Sequence, residues 1–430
     1  MKSLIYIFLC TVFLNPLFSQ EQKDFNTLKS RFGFDVLQRP YVNFSIIPYY
    51  SGQDWIPDLY LAFEVQNDRL QFTKDGDNFR AQYQVSAVIR KDEEALYKEN
   101  WVESVEINNF DETNSKREYQ YVKYKLNISM QDRTDKLKPG SYECIFQLRD
   151  LTSKNMYKSV RKFEIPEFDS NQINISPINF LITANEPGNS LPFNPSSAAL
   201  HYDQNYTAYA NVLLDTIQNI RVNVRIYKNE KDNGQLFCQD YFTLNRDSNI
   251  VNLKYNLPSD SMAPGKYRIR FSGYTGDKEL DDEREFEIFW FDKPIYLYKA
   301  DLAIRPMKYL LSEDEYKKVS EMSYDEIQKW MDNYWAERDP TPKTNYNELK
   351  TEYFRRVQRA NEKFNLRYKE GWETDRGKIL ILYGEPDKIE NRRYAADQKP
   401  HLVWIYEKQH LTFLFVDLDR DGEFTLVKDE

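Results

Sequence analysis

Between residues 25 and 168 stretches in which apolar side chains recur at every second position appear repeatedly, and beyond about residue 300 the recurrence lengthens to about 3.6. A chain that changes period partway along is built from strands in one part and helices in another. Phe79, Ala81, Tyr83, Val85, Ala87 and Ile89 alternate with Arg80, Gln82, Gln84 and Ser86, which predicts a strand with one buried face. Val122, Tyr124, Leu126, Ile128 and Met130 alternate with Lys123, Lys125, Asn127 and Ser129, which predicts another, wet on its polar side.

The strand-rich part contains a repeat. Pro139-Gly140 introduces Tyr142, Cys144, Phe146 and Leu148, and Pro264-Gly265 introduces Tyr267, Ile269 and Phe271. Each run is followed by a closing Phe-Glu-Ile, at Phe163 to Ile165 and Phe286 to Ile288. Pro sets φ and Gly permits positive φ, so each dipeptide turns the chain between strands. Such a pair resembles the last hairpin of an immunoglobulin-like or fibronectin-like sandwich. Ile220-Val222-Val224-Ile226 and Val251-Leu253-Tyr255-Leu257 supply further short strands. Two tandem antiparallel β-sandwiches are expected, over residues 21–168 and 169–292. The loop from Glu186 to Pro195 reads as a stiff connection that could offer Phe193 to a partner. The surplus of Tyr reads as sandwich core, with a sugar-stacking platform as the alternative.

Residues 293–430 read as an α+β domain. Ser312 with Glu315 and Ser323 with Glu326 have the spacing of capping boxes at helix starts. Ile327, Trp330, Met331 and Tyr334 stripe one helix, which ends before Pro340. Leu349, Tyr353, Val357, Ala360 and Phe364 stripe the next, where Glu352 and Arg356 form an i,i+4 pair. The apolar run Ile379 to Tyr383 predicts a strand covered on both faces, and Leu402 to Tyr406 and Leu411 to Val416 predict two more. The fold class is therefore mainly β with a C-terminal α+β domain.

At 430 residues, 41% hydrophobic and 30% charged, the chain has the composition of a multidomain globular protein. Its net charge of −9 and lack of a basic stripe argue against nucleic acid as a partner. Lys2 followed by the apolar run Leu4 to Leu14 and polar Ser19-Gln20 predicts a signal peptide over residues 1–20. Leu9 before Cys10 departs from the small residue that lipid attachment favours. No later run has the roughly 18 apolar residues that a transmembrane segment needs. Cys144 and Cys238 fall in different sandwiches, so a disulfide framework is not expected.

The most specific segment is Gly371-Trp372-Glu373-Thr374-Asp375-Arg376-Gly377, followed by Tyr383-Gly384-Glu385-Pro386-Asp387. With Trp335 to Pro342, Asn347-Glu348, Tyr353 to Arg356 and Ala360-Asn361, it resembles the GWxTD domain of exported bacterial proteins, over roughly residues 300 to 427. Lys343, in place of the family's usual Gly, is a minor departure. The family carries no established activity, so the resemblance implies export to the periplasm or cell surface of a Gram-negative bacterium and names no reaction. It marks Arg338, Asp339, Asn347, Glu348, Arg356, Gly371, Trp372, Thr374, Asp375, Arg376, Gly377, Gly384, Pro386 and Asp387 as the binding or structural motif.

Cross-pairing of Arg338-Asp339 with Asp375-Arg376 would latch helices to sheet through bidentate bonds. The sharper alternative is a pocket with Asp375, Glu385 or Asp387 as acid or base and Arg338, Arg356 or Arg376 holding an anion. Asp417 to Gly422 starts like a calcium loop, but Lys428 stands where the twelfth-position Glu belongs, so a hairpin turn is expected. No H-E-x-x-H, G-x-S-x-G or phosphate-binding Gly-Lys loop is present. The expectation is a non-catalytic envelope protein that binds another envelope protein, with no cofactor and no metal. An envelope glycan or peptide hydrolase and a glycan-binding sandwich protein are the alternatives.

Overall fold

The computed structural model describes residues 26–29, 35–51, 55–169, 171–183, 192–214, 217, 219–228, 234–276, 278–392 and 399–429. The expected signal peptide and residues 186–191 of the Pro-rich loop lie outside them. The chain divides into two compact units, whose main parts are Leu37–Phe291 and Asp292–Glu430.

β1 (Asn26–Lys29) pairs with β2 (Asp35–Gln38). The first repeat contains β3 (Val42–Tyr49), β4 (Asp58–Gln66), β5 (Thr73–Asp75), β6 (Asn78–Lys91), β7 (Glu94–Ile107), β8 (Tyr119–Lys125), β9 (Gly140–Asp150) and β10 (Met156–Ile165). Two short helices, α1 (Phe110–Thr113) and α2 (Met130–Lys136), lie between its strands. The second repeat contains β11 (Asn179–Ile182), β12 (Ala199–His201), β13 (Tyr206–Leu213), β14 (Asn219–Lys228), β15 (Gln235–Asn245), β16 (Ile250–Asn256), β17 (Gly265–Thr275) and β18 (Lys278–Phe289).

The repeat read from Pro-Gly extends to topology. A three-stranded sheet β3-β4-β8 faces the larger sheet in which β10, β9, β6 and β7 are neighbours; β11-β13-β16 faces β18-β17-β14-β15 in the same order. Gly140 and Gly265 start the equivalent strands with φ of 137° and 146°, a region that side chains disfavour. The Tyr142 hydroxyl donates to the Lys138 carbonyl, and that of Tyr267 donates to the Ala263 carbonyl at 2.9 Å. Each hydroxyl reaches back four residues, which is the tyrosine corner of sandwich folds. Tyr142 stacks on Phe163 and Tyr267 on Phe286, with ring centroids 5.4 and 5.6 Å apart. The alternating residues of β6 from Ala81 to Ile89 are buried as expected.

Two strand readings need correction. β8 stops at Lys125, because Ser129 accepts the Asp132 N–H and caps α2; Met130 is helical and half exposed. Nor is the polar side of β8 simply wet. Phe193 is 1% exposed and packs with Ile47, Ala62, Leu181 and Tyr209, so it joins the two repeats and is not offered outward. Tyr121 donates its hydroxyl to the Phe193 carbonyl at 3.1 Å, and the Lys123 ammonium sits 5.3 Å from its ring centroid. Ser45 bonds the Asn194 carbonyl at 2.9 Å, and the Tyr50 N–H bonds Asn211 Oδ1 at 3.1 Å across the same seam.

The second unit contains α3 (Ala300–Ala303), α4 (Glu313–Ser320), α5 (Tyr324–Ala336), α6 (Glu348–Phe364) and α7 (Asp375–Tyr383), followed by β19 (Lys388–Arg392), β20 (His401–Tyr406), β21 (Leu411–Asp417) and β22 (Phe424–Asp429). The strands form an antiparallel meander. Both capping boxes form, at Ser312/Glu315 and Ser323/Glu326. Tyr353, Val357, Ala360 and Phe364 of α6 enter one core with Trp335, Trp372, Trp404 and Phe415, whereas Leu349 is about half exposed.

The segment expected as a strand at 379–383 is the helix α7. Its Ile379, Leu380 and Ile381 are all buried, and three consecutive buried apolar residues in a helix give the same unbroken run as a covered strand. Thr374 caps its start and Gly384, at φ 83°, ends it.

On β18, burial pushes the Asp282 carboxyl up to about 7, only partly offset by the Glu283 and Ile178 N–H donors and the Arg284 charge. A carboxyl that holds its proton more tightly when folded contributes stability below its unfolded pKa, near 4, and loses it as pH rises through 7. The unfolding free energy of the wild type minus that of Asp282→Asn, from urea titrations, should therefore fall between pH 4.5 and 8 by on the order of a few kcal/mol, the difference cancelling the opposite pull of His201, whose pKa burial lowers.

Candidate functional site

The loop Gly371–Glu373 forms one 3-10 turn between α6 and α7, and it is placed by contacts closer than side chains allow. A Cβ on Gly371 would lie 2.1 Å from the Ala360 carbonyl oxygen of α6, and one on Gly377 would lie 2.0 Å from the Gly371 carbonyl oxygen. Glycine is required at both places because backbone meets backbone.

The loop amides are then satisfied from the C-terminal end of α6 and the residue that follows it. Asn365 Oδ1 accepts the Gly371 N–H at 2.8 Å, and Asn361 Oδ1 accepts the Trp372 N–H at 2.9 Å. Thr374 Oγ1 donates to the Gly371 carbonyl at 2.7 Å and accepts the Gly377 N–H at 3.0 Å, so one hydroxyl closes the turn and caps α7. Trp372 is 2% exposed. Its indole N–H donates to the Glu370 carboxylate, which also accepts the Tyr296 hydroxyl at 2.9 Å. Tyr309 donates to the Trp372 carbonyl at 3.0 Å, and the Lys308 ammonium lies 4.6 Å from the indole centroid. Burial lowers the Lys308 pKa, and burial beside Glu373 and Asp375 raises that of Tyr309 to about 12.

The two charged motif residues extend the knot to the sheet. Asp375 Oδ2 accepts the Leu426 N–H at 2.8 Å, fastening α7 to β22. The Arg376 guanidinium lies between the rings of Phe364 and Phe424, 4.7 and 4.6 Å from their centroids, and donates to the Gly422 carbonyl at 3.1 Å. That carbonyl is in the hairpin expected at 417–422, where Asp417 accepts the N–H groups of Asp421 and Gly422 at 3.2 and 3.1 Å. Among the described residues no group of acidic, His or Cys side chains is arranged to hold a metal.

The expected latch does not form. Arg338 lies over the Tyr334 ring and bonds the Tyr334 carbonyl at 2.9 Å, and Asp339 accepts the Thr341 N–H at 2.9 Å, a local turn contact. Helix and sheet are instead fastened through backbone partners of Asp375 and Arg376. The motif residues fall into three groups. Arg338, Asp339, Asn347 and Glu348 make the turn between α5 and α6: Asn347 caps α6 and donates to the Trp335 carbonyl at 2.7 Å, and Glu348 accepts the Thr341 hydroxyl. Arg356, Gly384, Pro386 and Asp387 lie about the end of α7: Tyr406 donates to the Gly384 carbonyl at 2.8 Å and Asp387 accepts the Glu407 N–H at 2.7 Å. Glu385 pairs with Arg359 at 2.7 Å and Lys363 at 2.9 Å. The third group is the knot itself.

Carboxylates so engaged do not converge on an open space. A cavity of about 460 Å3 lies in the first repeat, lined in part by Arg69, Phe72, Lys74, Phe79 and Phe110, and includes no motif residue. Tyr296, Tyr309 and Glu370 were not recognised from the sequence as parts of the knot. Asn361 near the end of α6 and Asn365 just beyond it were not recognised either, because Asn365 has left the helix and no helical spacing relates the two.

Residues 278–430 match the model of the GWxTD domain family. No curated protein matches the chain. Among solved structures, a red sea bream transglutaminase is 10% identical with a TM-score of 0.18, covering 57% of this chain and 31% of that one. An Escherichia coli alpha-2-macroglobulin activated by porcine elastase is 10% identical with a TM-score of 0.19, covering 62% and 26%. The chain spans less than a third of either protein's length, and overlaps this slight carry no weight for fold or function.

Gly377→Ala should abolish the cooperative transition of the C-terminal unit or lower its stability by more than about 3 kcal/mol, because the backbone facing it has no room to yield. Gly422→Ala, at φ 90° with open space around it, should cost only about 1–2 kcal/mol. Urea titration followed by tryptophan fluorescence separates the two.

Proposed function

We propose that this protein, whose C-terminal residues carry a GWxTD domain, works by binding or assembly and not by catalysis, as a component exported to the bacterial envelope. The observation that supports this reading is the use of every charged group of the named motif in holding its own domain together. Asp375 takes a backbone N–H of β22, and Arg376 is stacked between two rings. A carboxylate whose oxygen is held by a backbone N–H of its own fold is poorly placed to reach a substrate's proton. The motif then serves as the frame of the domain, and recognition falls to surfaces that the frame supports.

Joined sandwiches suit the spacer or docking role. The seam around Phe193 makes the two repeats one compact unit, so a partner bound at one repeat is held in a defined position relative to the other. A glycan platform has less support: Trp101 and Tyr124 lie face to face, 4.0 Å apart at 9°, and cover each other's rings.

Cross-linking of the full chain in envelope extract should yield one stoichiometric partner, retained when the surface residue Arg338 is changed to Ala. The same preparation should leave envelope glycans and peptides uncleaved. Turnover that Asp375→Asn removes without changing the melting midpoint would overturn the reading in favour of an enzyme.

A further inference from the structure

The internal repeat allows equivalent strands to be compared in one chain. β7 and β15 hold the same place in their repeats, and among the described residues each pairs with a single strand, β6 and β14 respectively. Each is therefore the open edge of a large sheet. Unpaired N–H and C=O groups on such an edge accept a further strand, and proteins commonly block this with charge.

β7 is blocked in that way. Glu94, Lys98, Glu99, Glu103 and Glu106 fall within its 14 residues. β15 is not: Asp240 is the only charged residue in its 11, which otherwise include Leu236, Phe237, Tyr241, Phe242, Thr243 and Leu244. These side chains favour strands. Leu236 is 47% exposed and Tyr241 49% exposed. The register shift between β14 and β15 lies near the start of β15, so Cys238 to Asn245 pair without interruption. On the outward side Gln239 donates to the Tyr241 hydroxyl, and the Arg221 guanidinium lies 4.8 Å from the Tyr241 centroid, which holds the row in place.

We propose that β15 is a self-association edge, to which a second copy of this chain adds its own β15 antiparallel, joining two five-stranded sheets into one. The occupant follows from the charge pattern. An incoming strand must be regular over about eight residues, rich in strand formers and free of charges that would oppose like charges, and β15 itself meets each condition. Paired about Tyr241, it sets Tyr241 beside its own copy, Gln239 beside Thr243 and Asp240 beside Phe242, so no like charges face one another. The equivalent pairing of β7, about Asn100, sets Glu94 against Glu106. A two-fold pairing of this kind closes on itself and ends at the dimer. The inference depends on this strand edge alone, so it can fail without the envelope-binding reading failing, and the reverse.

Sedimentation equilibrium of the full chain across the micromolar range should show a monomer–dimer equilibrium. Tyr241→Lys sets two ammonium groups side by side and should weaken the dimer by about tenfold or more, whereas Val102→Lys, the same kind of change on β7, should leave it unaltered. Thermal melts of both variants establish that each is folded. A chain that stays monomeric at every concentration, or a dimer that Tyr241→Lys does not weaken, overturns the proposal.

Discussion

The C-terminal unit depends on a backbone contact that side chains cannot make. Gly371 and Gly377 let α6, the loop and α7 meet at distances where any Cβ would overlap a carbonyl oxygen. Once the backbones are that close, Thr374 can bond both ends of the turn, and Asn361 and Asn365 can reach its amides. Asp375 and Arg376 then start α7 at the point where their polar groups meet the β21–β22 hairpin. Glycines, cap and charges are parts of one constraint, which explains why they occur as a short continuous motif.

The sandwiches are held by a different device. Each repeat closes its core with a tyrosine corner and a stacked Tyr–Phe pair, so the two are internally alike. What differs is the seam, to which the second repeat contributes Phe193 and Tyr209 and the first contributes Ile47, Ala62, Tyr49 and Tyr60. Two marginal surfaces become one buried cluster, and burial of apolar area is the term that favours their union. Equivalent edges differ as well, with charge placed on β7 and omitted from β15.

Much of this was legible in the residues. The Pro-Gly repeats located equivalent strands, because a turn dipeptide has a local conformational cause, and both capping boxes formed for the same reason. The motif loop was legible as a group of residues and misread in its role. Arg338-Asp339 and Asp375-Arg376 have complementary charges, yet each found a nearer partner in a ring or a backbone group. The run from Ile379 to Tyr383 reads as a strand because the consecutive buried residues Ile379, Leu380 and Ile381 remove the periodicity that separates strand from helix.

Amino-acid order alone settled where this chain is strand-rich, where it becomes helical, where its turns and caps fall, and that it carries the family's loop. Each of these depends on φ preference, side-chain spacing or a hydrogen bond within a few residues. Tertiary structure alone decided that α7 is a helix, that Phe193 is inside, and that Asp375 and Arg376 bond to a hairpin some 50 residues away. Those outcomes depend on which surfaces meet, and a partner distant in sequence leaves no mark on the local pattern.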